Sequence, residues 1–119
     1  MKQLTKQELN SFLERFSNLT GGELLSIVFL TPESFKIALT VQDKNRDFDW
    51  VNLNFEFAGV KDAKLLDDAG LKAVDMEQGG NISFSEEGVK VGFGSDAYLS
   101  SPLYVTTEVL KYEESAFSI

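Results

Sequence analysis

The stretch Trp50–Gly59 constrains the fold more than any other part of the chain, because its side chains alternate strictly between apolar and polar. A period of two places successive side chains on opposite faces of a β-strand. The apolar set is Val51, Leu53, Phe55 and Phe57, and the polar set is Asn52, Asn54 and Glu56. The pattern predicts a central strand of an antiparallel sheet, with one face in the core and the other toward water.

Residues 5–17 predict a first helix that packs on this sheet. Thr5 and Glu8 have the spacing of a capping box, in which each side chain satisfies the other residue's backbone donor. The pair Gly21-Gly22 gives the backbone freedom with which a helix ends. The helix carries a stripe with the spacing of one helical face, formed by Leu9, Phe12, Leu13 and Phe16.

The segment that follows the helix predicts a three-stranded meander over residues 24–58. Leu24–Leu30 is an almost continuous apolar run, which is typical of a strand buried on both faces. Thr31–Ser34 reads as a turn with Pro at its second position. Phe35–Gln42 alternates like the central strand, and the polar residues 43–49 connect the two strands.

The second half of the chain predicts a hairpin and one long final strand. Residues 82–93 form two alternating segments around a turn that ends in Gly88, where a positive φ is expected. Leu103–Tyr112 alternates over its whole length. Between these elements and the meander, Val60–Leu66 reads as a short edge strand and Asp67–Gly70 as a turn.

Together these elements predict one α+β domain spanning residues 1–119, since domains cluster at roughly 100–150 residues. The N-terminal helix packs on a curved, mainly antiparallel sheet of about six strands, built as a meander plus a hairpin. Ten Phe among 43% hydrophobic residues supply a core, which a disordered chain would lack.

The composition argues against most catalytic classes. The chain has no Cys and no His, which excludes disulfides, thiolate sites, imidazole ligands and His-based general bases. Ser-x-x-Lys, G-x-S-x-G and P-loop motifs are also absent from the sequence. We therefore expect a protein that is not an enzyme.

Two weak motif matches are better explained by turns. Residues 43–49 imitate the start of a calcium loop, but Phe48 stands where the sharp turn needs Gly. Gly92–Ala97 matches a dinucleotide fingerprint, yet the loop-like residues 98–102 follow it instead of the helix that holds a pyrophosphate. We expect neither a metal nor a cofactor.

Adjacent carboxylates are the remaining groups that could support catalysis. Glycosidase-type hydrolysis needs two carboxyl groups across a cleft, one of them with a raised pKa. A carboxylate-based hydrolase is therefore a third hypothesis, but a solvated charge cluster is the simpler interpretation because the pairs fall in turns or near the tail. The pairs are Asp67/Asp68, Glu86/Glu87 and Glu113/Glu114.

The net charge of −8 is concentrated in the second half of the chain. Residues 1–60 hold six Lys/Arg against eight Asp/Glu, whereas residues 61–119 hold five against eleven. Such a surface repels nucleic acid phosphates and favours encounter with a basic partner, although solubility alone also explains it. The acidic residues 62–87, including Asp67 and Asp68, would steer that encounter.

No apolar run approaches the ~18 residues of a membrane helix, and the N-terminus lacks the apolar region of a secretory signal. We expect a cytoplasmic protein that binds neither membrane nor nucleic acid.

The candidate partner-binding surface is the polar side of the sheet. Trp and Tyr interleaved with amides and carboxylates are typical of protein recognition. The alternative is that residues 66–78 cover this face. The predicted face combines Trp50, Asn52, Asn54 and Glu56 with Tyr104, Thr106, Glu108 and Tyr112.

The run VNLNFEFAGVKDAKLL at 51–66, followed by LKYEESAF at 110–117, resembles a family of small uncharacterised bacterial α+β domains. The resemblance covers about half of the chain and implies a fold only. In size and charge the chain is also similar to immunity proteins that neutralise basic toxins, although no motif carries that likeness.

The first functional hypothesis is a non-enzymatic protein-binding module of the immunity or adaptor type, engaging a basic protein. An alternative is a carrier of a small apolar ligand or lipid, with a pocket between helix and sheet bounded by Phe55, Phe57 and Phe84. An edge strand could also pair with its twin to form a homodimer.

Overall fold

The structure, a computed structural model, describes residues 1–116 as an antiparallel sheet of seven strands with an N-terminal helix. The predicted α+β class, with its helix and mainly antiparallel sheet, is confirmed. The strands are β1 (Lys2–Gln3), β2 (Glu23–Thr31), β3 (Ser34–Asp43), β4 (Asp49–Lys64), β5 (Gly80–Ser85), β6 (Gly88–Phe93) and β7 (Leu103–Ala116). The α-helices are α1 (Leu9–Arg15) and α2 (Asp68–Lys72), and short 3-10 turns lie at Lys6–Glu8, Ser17–Leu19, Lys44–Arg46 and Tyr98–Ser100.

The strand order is β2-β3-β4-β7-β6-β5, and β1 also pairs with β7. The meander of β2, β3 and β4 and the hairpin of β5 and β6 are as predicted, and Gly88 has the expected positive φ of 121°. The final strand β7 returns to the middle of the sheet between β4 and β6.

The central strand β4 has the predicted facing. Phe55 and Phe57 lie opposite Ile37 and Phe35 of β3, and all four side chains are buried. Directly opposite residues of an antiparallel pair share a face, so this register defines the core face of the sheet.

The first helix covers the core face, but it is shorter than predicted. Phe12 and Phe16 are buried, and the Phe12 ring centroid lies 4.7 Å from that of Tyr112. The α-helix ends at Arg15 because Ser17–Leu19 all adopt positive φ, a turn that places Leu19 in the core.

The prediction of a capping box is wrong, because the two side chains do not bond to each other's backbone N–H groups. Thr5 Oγ1 donates to Glu8 Oε1 at 2.8 Å, so the two side chains bond each other. The Glu8 backbone N–H donates to the Thr5 carbonyl at 3.1 Å, and neither residue's side chain caps a helix.

Residues 60–70 differ in part from the prediction of a short edge strand and a turn. Gly59, with a φ of +68°, starts a bulge at which Val60 and Lys61 together oppose Thr107. Beyond the bulge β4 continues to Lys64 with β7 as its ladder partner, whereas its pairing with β3 ends at Ala58. The predicted edge strand is therefore the end of β4 and not a separate strand. The predicted turn is the start of α2, where Asp67 Oδ1 accepts a hydrogen bond from the Gly70 N–H at 2.7 Å.

Leu24–Leu30 is not buried on both faces, and that prediction is wrong. The segment forms the edge strand β2, in which only Leu24 is fully buried. Among the helices within residues 1–116, none combines the length and apolarity needed to cross a membrane.

Candidate protein-binding surface

The sheet face opposite α1 carries the polar residues of the central strand. We call it the outer face. Trp50 is 44% exposed, whereas the three polar residues that follow it at alternate positions are half-buried between neighbouring strands. By register the outer face comprises Trp50, Asn52, Asn54 and Glu56 of β4, Lys36, Ala38, Thr40 and Gln42 of β3, and Lys111, Glu113 and Ser115 of β7.

Residues 66–78 do not cover the outer face. Leu71 and Met76 are buried in the same core as Phe55 and Phe57, which places this segment on the core side. The Met76 carbonyl accepts the Gly21 N–H at 2.8 Å, which fixes the segment near the start of β2. The sequence alternative, in which these residues shield the polar side of the sheet, is therefore wrong.

The middle of the outer face is polar and charge-balanced. Glu56 lies directly opposite Lys36 on one side and Lys111 on the other. Opposite charges in such cross-strand positions attract each other. The Asn52 side-chain oxygen is buried without a hydrogen-bond partner in the described part of the chain, so it is an acceptor for which a donor would be favourable.

Two exposed aromatic side chains lie at the start of β4. Phe48 is 50% exposed and Trp50 is 44% exposed. Beside Trp50 lies a shallow groove of about 370 Å³, which Arg46, Asp49 and Ala116 also line. A large aromatic ring next to a groove is typical of an anchor for protein recognition.

A buried ion pair holds the loop that presents these aromatics. Arg15 donates from Nε to Asp43 Oδ1 at 2.9 Å and from Nη2 to Asp43 Oδ2 at 2.8 Å. Arg15 also pairs with Glu114 at 3.1 Å, so it ties α1 to β3 and β7. The Asp43 carbonyl accepts the Phe48 N–H at 2.9 Å, which closes the loop on the same residue.

The environment of Asp43 favours its charged form. Hydrogen bonds from Arg15, with a further one from the Asn45 backbone N–H, hold the pKa of Asp43 below its ordinary value despite burial. Lys44 likewise lowers the pKa of Glu14. A general acid needs a shift in the opposite direction, so neither Asp43 nor Glu14 is suited to that role.

The imitation of a calcium loop forms the 3-10 turn Lys44–Arg46. The Asp43 carboxylate, which would be the first ligand, is already bonded to Arg15. Across residues 1–116, no three or more Asp, Glu, His or Cys side chains converge into a cluster that could hold a metal ion. The imitation of a dinucleotide fingerprint leads only into the 3-10 turn Tyr98–Ser100.

The aromatic residues proposed to bound a carrier pocket pack against other rings. Phe55 and Phe57 are fully buried. The Phe55 ring lies 6.0 Å from that of Phe93, and the Phe57 ring lies 5.2 Å from that of Phe35. Phe84 is only half-buried and lies on the edge strand β5. A groove of about 500 Å³ does exist beside α1, but its lining includes Glu8, Glu14, Arg15 and Lys44, which suits a polar ligand and not a lipid.

The β7 residues of the predicted face do not lie beside its β4 residues. Tyr112 lies opposite Phe55 and is only 7% exposed, so it belongs to the core face, and its assignment to the Trp50 side is wrong. Tyr104 is opposite Lys64 at the far end of β4 from Trp50, and its ring packs 5.1 Å from that of Tyr98.

The alternation of β7 changes along the strand. Leu103 and Val105 are buried at odd positions, whereas Leu110 and Tyr112 are buried at even positions. The change falls across residues 107–109, next to the register shift between β4 and β7 at Thr106 and Thr107. Glu108 is exposed above Gly59, apart from the outer face.

The acidic pair next to α2 has unequal roles. Asp67 caps the helix through its side chain, whereas Asp68 is exposed in the first turn. Both carboxylates remain on the surface, where they add to the negative field.

The sequence interpretation missed an apolar edge. The edge strand β2 exposes four large side chains by 41–61%, namely Leu25, Val28, Phe29 and Leu30. A continuous apolar run predicts a buried strand whether the strand is central or at the edge of a sheet. The strand order shows that β2 has a neighbour on one side only, and the local sequence does not distinguish an edge strand from a central one.

Compared with family models, with the curated proteins and with the solved structures, the chain matches none of them. The resemblance of residues 51–66 and 110–117 to small bacterial domains therefore stays a prediction.

Proposed function

We propose that this protein is a non-enzymatic protein-binding module of the immunity or adaptor type, and that its partner is a basic protein. The observation that carries the proposal is the clustering of exposed apolar side chains. Among the described residues eight large hydrophobic side chains are exposed, and four of them lie on β2 and two at the start of β4. Contiguous exposed apolar groups mark interaction sites, whereas scattered ones do not.

The outer face connects Val28 of β2 with Trp50 of β4. Val28 lies opposite Lys36 of β3, which in turn lies opposite Glu56 of β4, whereas Phe29 lies opposite Phe35 and so is on the core side. A partner on the outer face would therefore meet Val28 and Trp50 as apolar anchors, with polar, charge-balanced rows between them. Apolar anchors within a polar surround are the usual anatomy of a protein interface.

The charge of the chain supports a basic partner. A net charge of −8 on 119 residues accelerates encounter with a cationic protein and slows encounter with an anionic one. Steering of this kind weakens with salt because the Debye length falls from about 30 Å at 0.01 M to about 10 Å at 0.1 M.

Affinity capture from a native lysate tests this proposal. The immobilised wild-type chain should retain a basic protein at low salt and less of it at moderate salt. Trp50→Ala should lose the retained protein. Leu99→Ala is the matched control, because Leu99 is 97% exposed but lies outside both apolar groups. If the wild-type chain retains nothing, or both variants retain the protein equally, the proposal fails.

A further inference from the structure

The edge strand β2 is longer and more apolar than the opposite edge strand, β5. Within the described residues β2 pairs only with β3 and β5 pairs only with β6. β5 has six residues and places Asn and Ser at alternate positions, whereas β2 has nine residues and no Lys, Arg or Pro among them. Natural proteins protect a sheet edge with lysine, proline, a very short strand, bulges or a covering helix. β2 has register shifts near both ends and contacts α2, so its segment Ser26–Phe29 is the part with regular pairing.

We propose that β2 accepts an extended strand from the partner, one with apolar residues at alternate positions and Lys or Arg around them. This inference rests on the proposed function and states its binding mode. In strand addition the main chain of the edge supplies hydrogen bonds, and neighbouring pockets select the side chains. The regular part of β2 is Ser26–Phe29, because register shifts occur at Leu25 and Leu30. The added strand would therefore pair over a short segment.

A small apolar pocket lies at the end of this segment. Its volume is about 110 Å³. Ligand pockets usually start at ~300 Å³, so this one suits a single apolar side chain and not a separate molecule. Its apolar lining is formed by Phe29, Pro32, Phe35, Val60, Ala63 and Leu65.

The charges around β2 define the partner's chemistry. Glu23 begins the strand and Glu33 lies in the turn that follows it. The helix α2 also packs against β2. An apolar edge with a carboxylate at either end complements a basic extended segment.

A second copy of this chain fits the same edge poorly. An antiparallel pair of β2 strands centred on Ile27 would set Glu23 opposite Thr31 of the other copy. Glu33 of that copy would then lie two positions further along, diagonal to Glu23. Like charges would meet at both ends of the pair, and like charges in neighbouring cross-strand positions are destabilising.

Hydrogen exchange of the β2 amides tests the inference directly. The probe is a synthetic nonapeptide of alternating lysine and valine. A matched peptide, in which proline replaces one inner valine, keeps every charge but cannot form a regular strand. At a concentration about ten times its dissociation constant, the first peptide should slow exchange within Ser26–Phe29 about tenfold, and the second should not.

Two variants sharpen the experiment. Val28→Lys should abolish the protection, whereas Val28→Thr, which keeps a β-branched side chain, should retain it. Val28 is 53% exposed, so neither substitution removes core packing. Leu99→Ala should leave the peptide's effect unchanged, because Leu99 is exposed and lies outside β2.

Three results would overturn strand addition. They are no slowing by either peptide, equal slowing by both, and slowing that appears without peptide as protein concentration rises. Equal slowing by both peptides would show that charge alone causes the effect. Slowing that depends on protein concentration would show that a second copy of the chain binds the β2 edge. None of these results would change the outcome of affinity capture with the Trp50 variant, so the experiments test the proposed function and its binding mode independently.

Discussion

At the scale of single residues, Asp43 links the stability of the fold to the presentation of its exposed aromatics. The side chain is fully buried and bonded at both oxygens by Arg15, while its backbone carbonyl holds the Phe48 N–H. One residue thus connects α1, β3 and the loop before β4.

We expect Asp43→Asn to lower the free energy of unfolding by about 3 kcal/mol, the lower part of the range for breaking a buried ion pair. We expect a loss at the lower end of this range because Arg15 keeps Glu114 as an ion-pair partner. Urea denaturation measures the change. Glu14→Gln is the control, since it removes an exposed pair with Lys44 and should leave stability near that of the wild type. Equal stability of the two variants would contradict the structural role of Asp43.

The same carboxylate predicts a pH dependence. Because its pKa in the folded state lies below the ordinary value of 3.8, the unfolded state takes up a proton first as the pH falls. The contribution of Asp43 is therefore fully present above about pH 4 and is lost as the pH drops through the folded-state value. The free energy of unfolding of the wild type should fall more steeply below pH 4 than that of Asp43→Asn. Parallel curves would contradict this.

Alternation predicted the facing of individual residues well where a strand is regular. Val51, Leu53, Phe55 and Phe57 face the core as expected. Tyr112 does not follow its predicted facing, because the alternation in β7 shifts near Thr107. A bulge arises from pairing between distant strands, so the local pattern of β7 does not reveal it.

At the scale of elements, β2 is where burial and sequence pattern disagree. Its apolar run has the composition of a strand covered on both faces, yet four of its side chains are exposed. β2 begins the meander, and within the described residues no strand other than β3 pairs with it, because β7 pairs with β4 on the opposite side. The local sequence of β2 does not show which distant strand pairs with which.

Val28→Thr checks the exposure of β2. Because Val28 lies at an exposed edge, we expect the free energy of unfolding to change by no more than about 0.5 kcal/mol. A strand buried on both faces would bury the new hydroxyl and lose considerably more. Thermal unfolding measures the difference, and a matched Val91→Thr change in the buried strand β6 should be clearly destabilising. Similar losses at both positions would show that β2 is covered.

At the scale of the whole molecule, the fold class and the meander could be predicted because they rest on hydrophobic period and turn chemistry. The register shifts opposite Thr107 and within β2 could not, since they arise from pairing between strands. The sequence predicted one part of the candidate surface and not the other. Trp50 came from the pattern of β4, whereas the apolar edge needed the strand order.

The negative field of the molecule predicts an effect on association rate. The double change Asp67→Asn, Asp68→Asn removes two charges, and Asn at position 67 keeps the hydrogen bond that caps α2. We expect slower association with the basic partner and weaker salt dependence, with little change in dissociation. Stopped-flow kinetics at two ionic strengths measure both rates. A change confined to dissociation would assign these residues to direct contact.

The affinity of the captured partner for Trp50→Ala, compared with Leu99→Ala, tests the binding account most directly. Titration calorimetry should show that Trp50→Ala weakens binding by about 2 kcal/mol or more, roughly 30-fold, as expected for an anchor residue. Leu99→Ala should bind like the wild type. Equal affinities of the two variants would contradict the assignment of the outer face as the binding surface.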